Sequence, residues 1–113
     1  MCKNVLIVDD DAGFVWQIMN NIQNRDCSIA TANSLRTAET ILDNNKFDVV
    51  VANVNVPGGN SLELRNHTTP KTKFLFMSGL SAVRNHFIEN HINEICWYKN
   101  DMTAILDRTL LNA

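Results

Sequence analysis

The sequence lacks the marks of several common protein classes. No apolar run approaches the roughly 18 residues that a membrane-crossing helix needs, and the opening Met1-Cys2-Lys3-Asn4 does not read as a secretion signal. Cysteine is scarce: Cys2, Cys27 and Cys96 are odd in number, widely spaced and form no C-x-x-C pair. They read as reduced apolar fillers, which points to the cytoplasm. Basic charge is missing too. A net charge of −2 leaves no footprint for nucleic acid and no polybasic surface for membranes. There is no G-x-G-x-x-G or G-x-x-x-x-G-K to cradle phosphates, and no G-x-S-x-G elbow around Ser78. Nucleotide-binding and hydrolase readings therefore fall away. His67, His86 and His91 make no metal set, since the last two miss the i, i+4 spacing of a helical site.

What is present describes one domain, spanning 1–113. Its 113 residues, 45% hydrophobic and 19% charged, suffice for one core and leave no room for a second module. The chain is organised around Phe47-Asp48-Val49-Val50-Val51-Ala52-Asn53-Val54-Asn55-Val56-Pro57-Gly58. The first half is a β-branched apolar run, the signature of a strand buried on both faces of a parallel sheet. The second half is a loop closed by a Pro-Gly turn.

Around this strand the other elements follow in alternation. Val5-Leu6-Ile7-Val8 is a buried strand that ends in Asp9-Asp10-Asp11. Three adjacent carboxylates repel one another. One can cap the next helix, but grouping three favours a pair that holds a divalent cation or meets a lysine. From Ala12 to about Arg25, Phe14, Ile18 and Ile22 recur at helical spacing with Val15 and Met19 beside them, while Trp16 falls outside the stripe. Ser28 to Ala32 is a weaker strand. Asn33 or Ser34 then caps a helix with Leu35, Ala38, Ile41 and Leu42 inside, stopped by Asn44-Asn45. Asn60 can cap a brief third helix, with Glu63 reaching back. Lys73 to Met77 is a fourth strand ending at Ser78-Gly79. A helix from Ser81 to about Asn90 buries Ala82, Val83, Phe87 and Ile88. Glu94 to Tyr98 is a fifth strand ending at Lys99, and Met102, Ile105, Leu106, Thr109 and Leu110 line a final helix.

Five strands alternating with five helices imply an α/β sandwich, a parallel sheet with helices on both faces. Right-handed crossovers bring every strand's carboxyl end to one edge, where ligands of open α/β sheets bind. Topology thus gathers Asp9, Asp10, Asn53, Asn55, Ser78 and Lys99.

This pattern resembles the receiver domain of two-component response regulators across essentially the whole chain. The residues that carry the resemblance are Val8-Asp9-Asp10-Asp11, Asn53-x-Asn55-x-Pro57-Gly58, Ser78-Gly79 and Lys99. It implies a flavodoxin-like three-layer sandwich with strand order 2-1-3-4-5. It also implies a phosphorelay role in which an aspartate ending the third strand accepts a phosphoryl group from a histidine kinase. By position, Asp9 and Asp10 match the acids that hold Mg²⁺, Asn55 the loop residue whose carbonyl joins the metal shell, Ser78 the hydroxyl that meets the phosphoryl, and Lys99 its charge partner.

The departures decide the expected function. Asn53 stands at the acceptor position, and a neutral carboxamide is a very poor nucleophile that cannot give an acyl phosphate. It also removes one hard anionic ligand, so Mg²⁺ at Asp9, Asp10 and Asn55 is expected to be weak and not required. Lys99 is followed by Asn100 where the family has proline, so this peptide should be trans. The aromatic switch position holds Cys96, with the bulk moved to Trp97 and Tyr98. These features describe a degenerate receiver: no enzyme, but a protein-interaction module working without phosphorylation. The surface the family uses for effectors, kinases and homodimers is the fourth helix, fifth strand and fifth helix, here carrying Arg84, His91, Tyr98 and Arg108. Two alternatives stay open. One is a working phosphoacceptor seen as an Asp→Asn variant or using Asp10 or Asp11. The other is a flavodoxin-like small-molecule binder.

Overall fold

The apolar runs pair side by side because each is hydrophobic on both faces and must be covered twice. The computed structural model describes residues 2–22, 26–79 and 96–112. Its strands are β1 (Lys3–Val8), β2 (Cys27–Ala32), β3 (Val49–Asn53), a short ribbon of β4 (Asn55–Val56) and β5 (Gly59–Asn60), then β6 (Lys73–Ser78) and β7 (Cys96–Tyr98). Five of them form one parallel sheet in the order β2-β1-β3-β6-β7, with the ribbon apart. Since the ribbon takes two of the numbers, this is the 2-1-3-4-5 order of the flavodoxin-like sandwich. Among the described residues the α-helices are α1 (Ala12–Asn21), α2 (Leu35–Asn44) and α3 (Met102–Asn112).

Strand side chains alternate between faces, so each strand feeds two cores. Val5, Ile7, Val49, Val51, Leu75 and Met77 pack under Ile18 and Ile22 from the α1 side and Met102, Leu106 and Leu110 of α3. On the other face Leu6, Val8, Val50, Ala52, Phe74, Phe76 and Cys96 meet Leu35, Ala38 and Leu42 of α2, together with Leu64. Every residue from Val49 to Ala52 is wholly inaccessible, as expected for the central strand. None of the helices among the described residues is long and apolar enough to cross a membrane.

Several local expectations are corrected. α1 stops at Asn21 instead of running on toward Arg25, and Ile22 is already extended. Asn20 and Asn21 turn their side-chain amides back onto the carbonyls of Trp16 and Gln17, at 2.7 and 2.8 Å. Asparagine's competition for backbone groups at a helix end accounts for the stop. Met19 is exposed and does not support the buried stripe, because it lies about 100° around the helix from Ile18. The third helix is a 3₁₀ segment, Ser61–His67, with the Asn60 side chain accepting from the Leu62 N–H at 2.8 Å. The loop after β3 closes into the ribbon around Pro57-Gly58. The expected helix from Ser81 to Asn90, with Ala82, Val83, Arg84, His86, Phe87 and Ile88, lies outside the described residues, as do His91, Glu94 and Ile95.

Candidate functional site

Parallel register sets the carboxyl edge. Val8 pairs with Ala52, Asn53 with Met77 and Ser78 with Tyr98, so Asp9, Asn53, Ser78 and Lys99 leave the sheet at neighbouring strand ends. Asp9 is anchored by its backbone N–H, which donates to the Ala32 carbonyl at 3.0 Å. Its side chain is fully buried. One carboxylate oxygen, Oδ1, accepts from the Asp11 N–H at 2.9 Å. The other, Oδ2, lies 2.8 Å from Lys99 Nζ, an ion pair whose angle is not that of a formed hydrogen bond.

The three acids have therefore divided their work. Asp11 caps α1, accepting from the Phe14 N–H at 3.1 Å, Asp9 pairs with the lysine, and Asp10 is exposed. The capping use falls to Asp11, while the lysine is met by Asp9 alone and not by a pair of acids. Repulsion is relieved by spending one carboxylate on helix N–H groups and neutralising another.

Lys99 has a second neighbour that the sequence did not reveal. Its Nζ sits 4.3 Å from the centroid of the Phe14 ring, in cation–π range. Phe14 reads as a core residue, and it does pack against the core, but its position in the first turn of α1 also brings the ring over the ammonium. The lysine stem passes Gly79, where an added Cβ would stand 3.8 Å from Lys99 Cδ.

At the end of β3 the half-buried Asn53 uses its amide as a donor: Nδ2 gives a 2.9 Å hydrogen bond to the Asn55 carbonyl. The Asn53 backbone carbonyl in turn accepts from the buried Ser61 hydroxyl at 2.8 Å, while the Ser61 N–H donates to the Val54 carbonyl at 2.9 Å. Ser61 is a second positioning residue missed from sequence, since its partners are backbone atoms brought near by the ribbon turn. Ser78 is buried at the end of β6. No peptide bond among the described residues is cis, so Lys99-Asn100 is trans as expected, opening a 3₁₀ turn.

A family model of the response regulator receiver domain matches residues 5–96. The chain belongs to that family. No curated protein matches the sequence. Among solved structures, the receiver domain is similar to the CheY-like receiver protein of Methanospirillum hungatei JF-1, at 15% identity, 99% of this chain, 96% of that one and a TM-score of 0.76. It is also similar to the chemotaxis response regulator CheY4 of Vibrio cholerae, at 18% identity, 96% and 98% coverage and a TM-score of 0.74. A third likeness is a Burkholderia pseudomallei response regulator, at 17% identity, 85% of this chain, 58% of that one and a TM-score of 0.66. That protein was solved with a phosphorylated aspartic acid and a calcium ion. At these identities the likeness is one of fold.

Receiver domains bind Mg²⁺ at the phosphorylation site. The donors here are poorly disposed for it. Asp9 Oδ2 faces an ammonium, Oδ1 faces an N–H, and the Asn55 carbonyl already accepts from the Asn53 amide. Mg²⁺ demands near-octahedral oxygens and sheds water reluctantly. Among the described residues no group of three or more His, Cys, Asp or Glu is placed to hold a metal. Asp10, the other matched acid, is exposed, and one exposed carboxylate beside the engaged Asp9 and Asn55 oxygens does not fit the ion as arranged.

The switch position also differs in side. Cys96 is buried in the core under α2, whereas Trp97, the next residue, points to the α1 and α3 face. Moving the aromatic bulk by one residue flips it across the sheet. Tyr98 is exposed at 37%.

Proposed function

We propose that this receiver domain signals by protein recognition without accepting a phosphoryl group. The observation that carries the reading is the Asn53 amide donating to the Asn55 carbonyl at 2.9 Å. A carboxylate has no hydrogen to give there, so the local structure is built for the amide. Acyl-phosphate formation needs an anionic nucleophile and a charge-neutralising cage around the product. At this edge the cationic group is already engaged by Asp9. The buried Cys96 supports the same reading, since a cysteine lacks the ring that moves between buried and exposed positions in a receiver switch.

The recognition surface is the one the family uses around the fifth strand and final helix, where Tyr98 and Arg108 are exposed. Its partner is a protein: a kinase, an effector or a second copy of this chain. The test is incubation of the full chain with Mg²⁺ and acetyl phosphate, followed by intact mass. An unchanged mass is expected. An adduct of about 80 Da, one phosphoryl group, overturns the reading. Mapping such an adduct to Asp10 or Asp11 would identify the working-acceptor alternative.

A further inference from the structure

We infer that the Lys99 ammonium is the resident cation of this pocket, held between the Asp9 carboxylate and the Phe14 ring, and that it keeps divalent cations out. The inference rests on reading the edge as a receiver pocket with a neutral residue 53, and it adds an agent for metal exclusion.

Three contacts carry it. Lys99 Nζ lies 2.8 Å from a carboxylate whose side chain is fully buried, so this oxygen is not shared with solvent. The same Nζ lies 4.3 Å from the Phe14 ring centroid, so α1 holds the ammonium from a second direction. The Asn55 carbonyl, a neutral oxygen that a cation could use, already accepts from the Asn53 amide at 2.9 Å, which leaves it less electron density to offer. A divalent ion entering at Asp9 would meet a positive charge within contact distance. To bind at Asp9 Oδ2, it must expel the ammonium from both partners.

The amide at position 53 explains why the lysine is where it is. An anionic residue 53 would compete with Asp9 for the ammonium, as opposite charges at a shared edge do. With a carboxamide there, that competition is gone and the ammonium settles on Asp9. Phe14 is then a positioning residue, since its ring favours a cation at the site where Asp9 already attracts one. A hydrated Mg²⁺ gains little from the ring, because it retains its own water shell.

The experiment is a MgCl₂ titration of the full chain at constant ionic strength, read by melting temperature and by calorimetry, with EDTA as baseline. Wild type is expected to show no shift in melting temperature and no binding heat up to about 10 mM. Lys99→Met is expected to melt lower in EDTA and to be raised by Mg²⁺, with an apparent affinity at least about tenfold above wild type. Phe14→Leu, which keeps apolar bulk but removes the ring, should gain a smaller response. A wild-type shift as large as that of Lys99→Met overturns the inference, and so does a folded Lys99→Met that ignores Mg²⁺. If Lys99→Met does not fold without metal, Phe14→Leu decides: a gained response supports the lock and none refutes it. These readouts are independent of a phosphoryl adduct, so the two readings fail separately.

Discussion

Asn53 Nδ2 and the Asn55 carbonyl oxygen stand 2.9 Å apart, donor to acceptor, across the two-residue step from β3 into the ribbon. The ribbon is fixed from its far side as well, by Ser61 bonding the Asn53 and Val54 carbonyls. Residue 53 is therefore tied at its side chain and its backbone at once, and exchanging its amide nitrogen for oxygen affects a network.

Asn53→Asp is expected to lower the melting temperature in EDTA. The substitution removes one hydrogen bond, sets a carboxylate oxygen against the Asn55 carbonyl and adds negative charge beside Asp9. The loss is on the order of 1–2 kcal/mol. Mg²⁺ should recover it, because the new acid draws Lys99 away and supplies a hard ligand. An unchanged or higher melting temperature in EDTA would contradict this electrostatic account.

The Asp9–Lys99 pair gives a second expectation. Removing one partner of a buried pair leaves an uncompensated charge, so Lys99→Met should cost about 3 kcal/mol. Adding Asp9→Asn to that variant removes the stranded charge. The double variant should thus be more stable than Lys99→Met alone by denaturant unfolding. Additive losses would mean that the two side chains are not coupled.

His67 ties the 3₁₀ segment to α2, its Nδ1 2.8 Å from Asp43 Oδ1 and its Nε2 3.0 Å from Glu39 Oε2. The Asp43 hydrogen bond, helped by the charges of Asp43 and Glu39, raises its pKa above the usual 6.5 and outweighs the opposing effect of burial. The fold thus favours the protonated ring. Its contribution to stability is complete below pH 6.5 and is lost as the pH climbs through the raised value. His67→Gln should flatten the decline of melting temperature over that upper window. An NMR titration of His67 with a midpoint at or below 6.5 would refute the shift.

The ribbon turn should resist side chains. Gly58 has φ of 102° and Gly59 of 148°, and added Cβ atoms would lie 3.3 and 3.2 Å from Leu35 side-chain atoms. Either alanine substitution is expected to destabilise by roughly 1–3 kcal/mol through backbone strain. It should also perturb the Asn53–Asn55 bond, visible as a changed Asn53 side-chain amide resonance. Full stability in Gly58→Ala would show that the turn relaxes at no cost.

The fold was legible in the sequence because it rests on patterns that survive in one dimension. Val49 to Ala52 and Val5 to Val8 are apolar on both faces, which only a doubly covered parallel sheet satisfies. Once strands alternate with helices, right-handed crossovers place Asp9, Asn53, Ser78 and Lys99 on one edge without further information. Asn60 and Ser34 as caps follow from local hydrogen-bonding chemistry, and the structure has both.

What only the tertiary structure decided is which partner each polar group takes. Sequence spacing says nothing about whether Lys99 turns to Asp9 or to Asn53, since both lie at the same edge and are distant in the chain. That choice depends on packing: Phe14 enters from α1 above the ammonium, and the ribbon brings the Asn55 carbonyl to the Asn53 amide. The side reached by Trp97 and the short reach of α1 were likewise settled by contacts with other elements and by side chains folding back on the backbone. Periodic apolar patterns determine the scaffold because burial is additive along the chain. The pairing of a few polar atoms is determined by distances of a few ångströms, which exist only after folding.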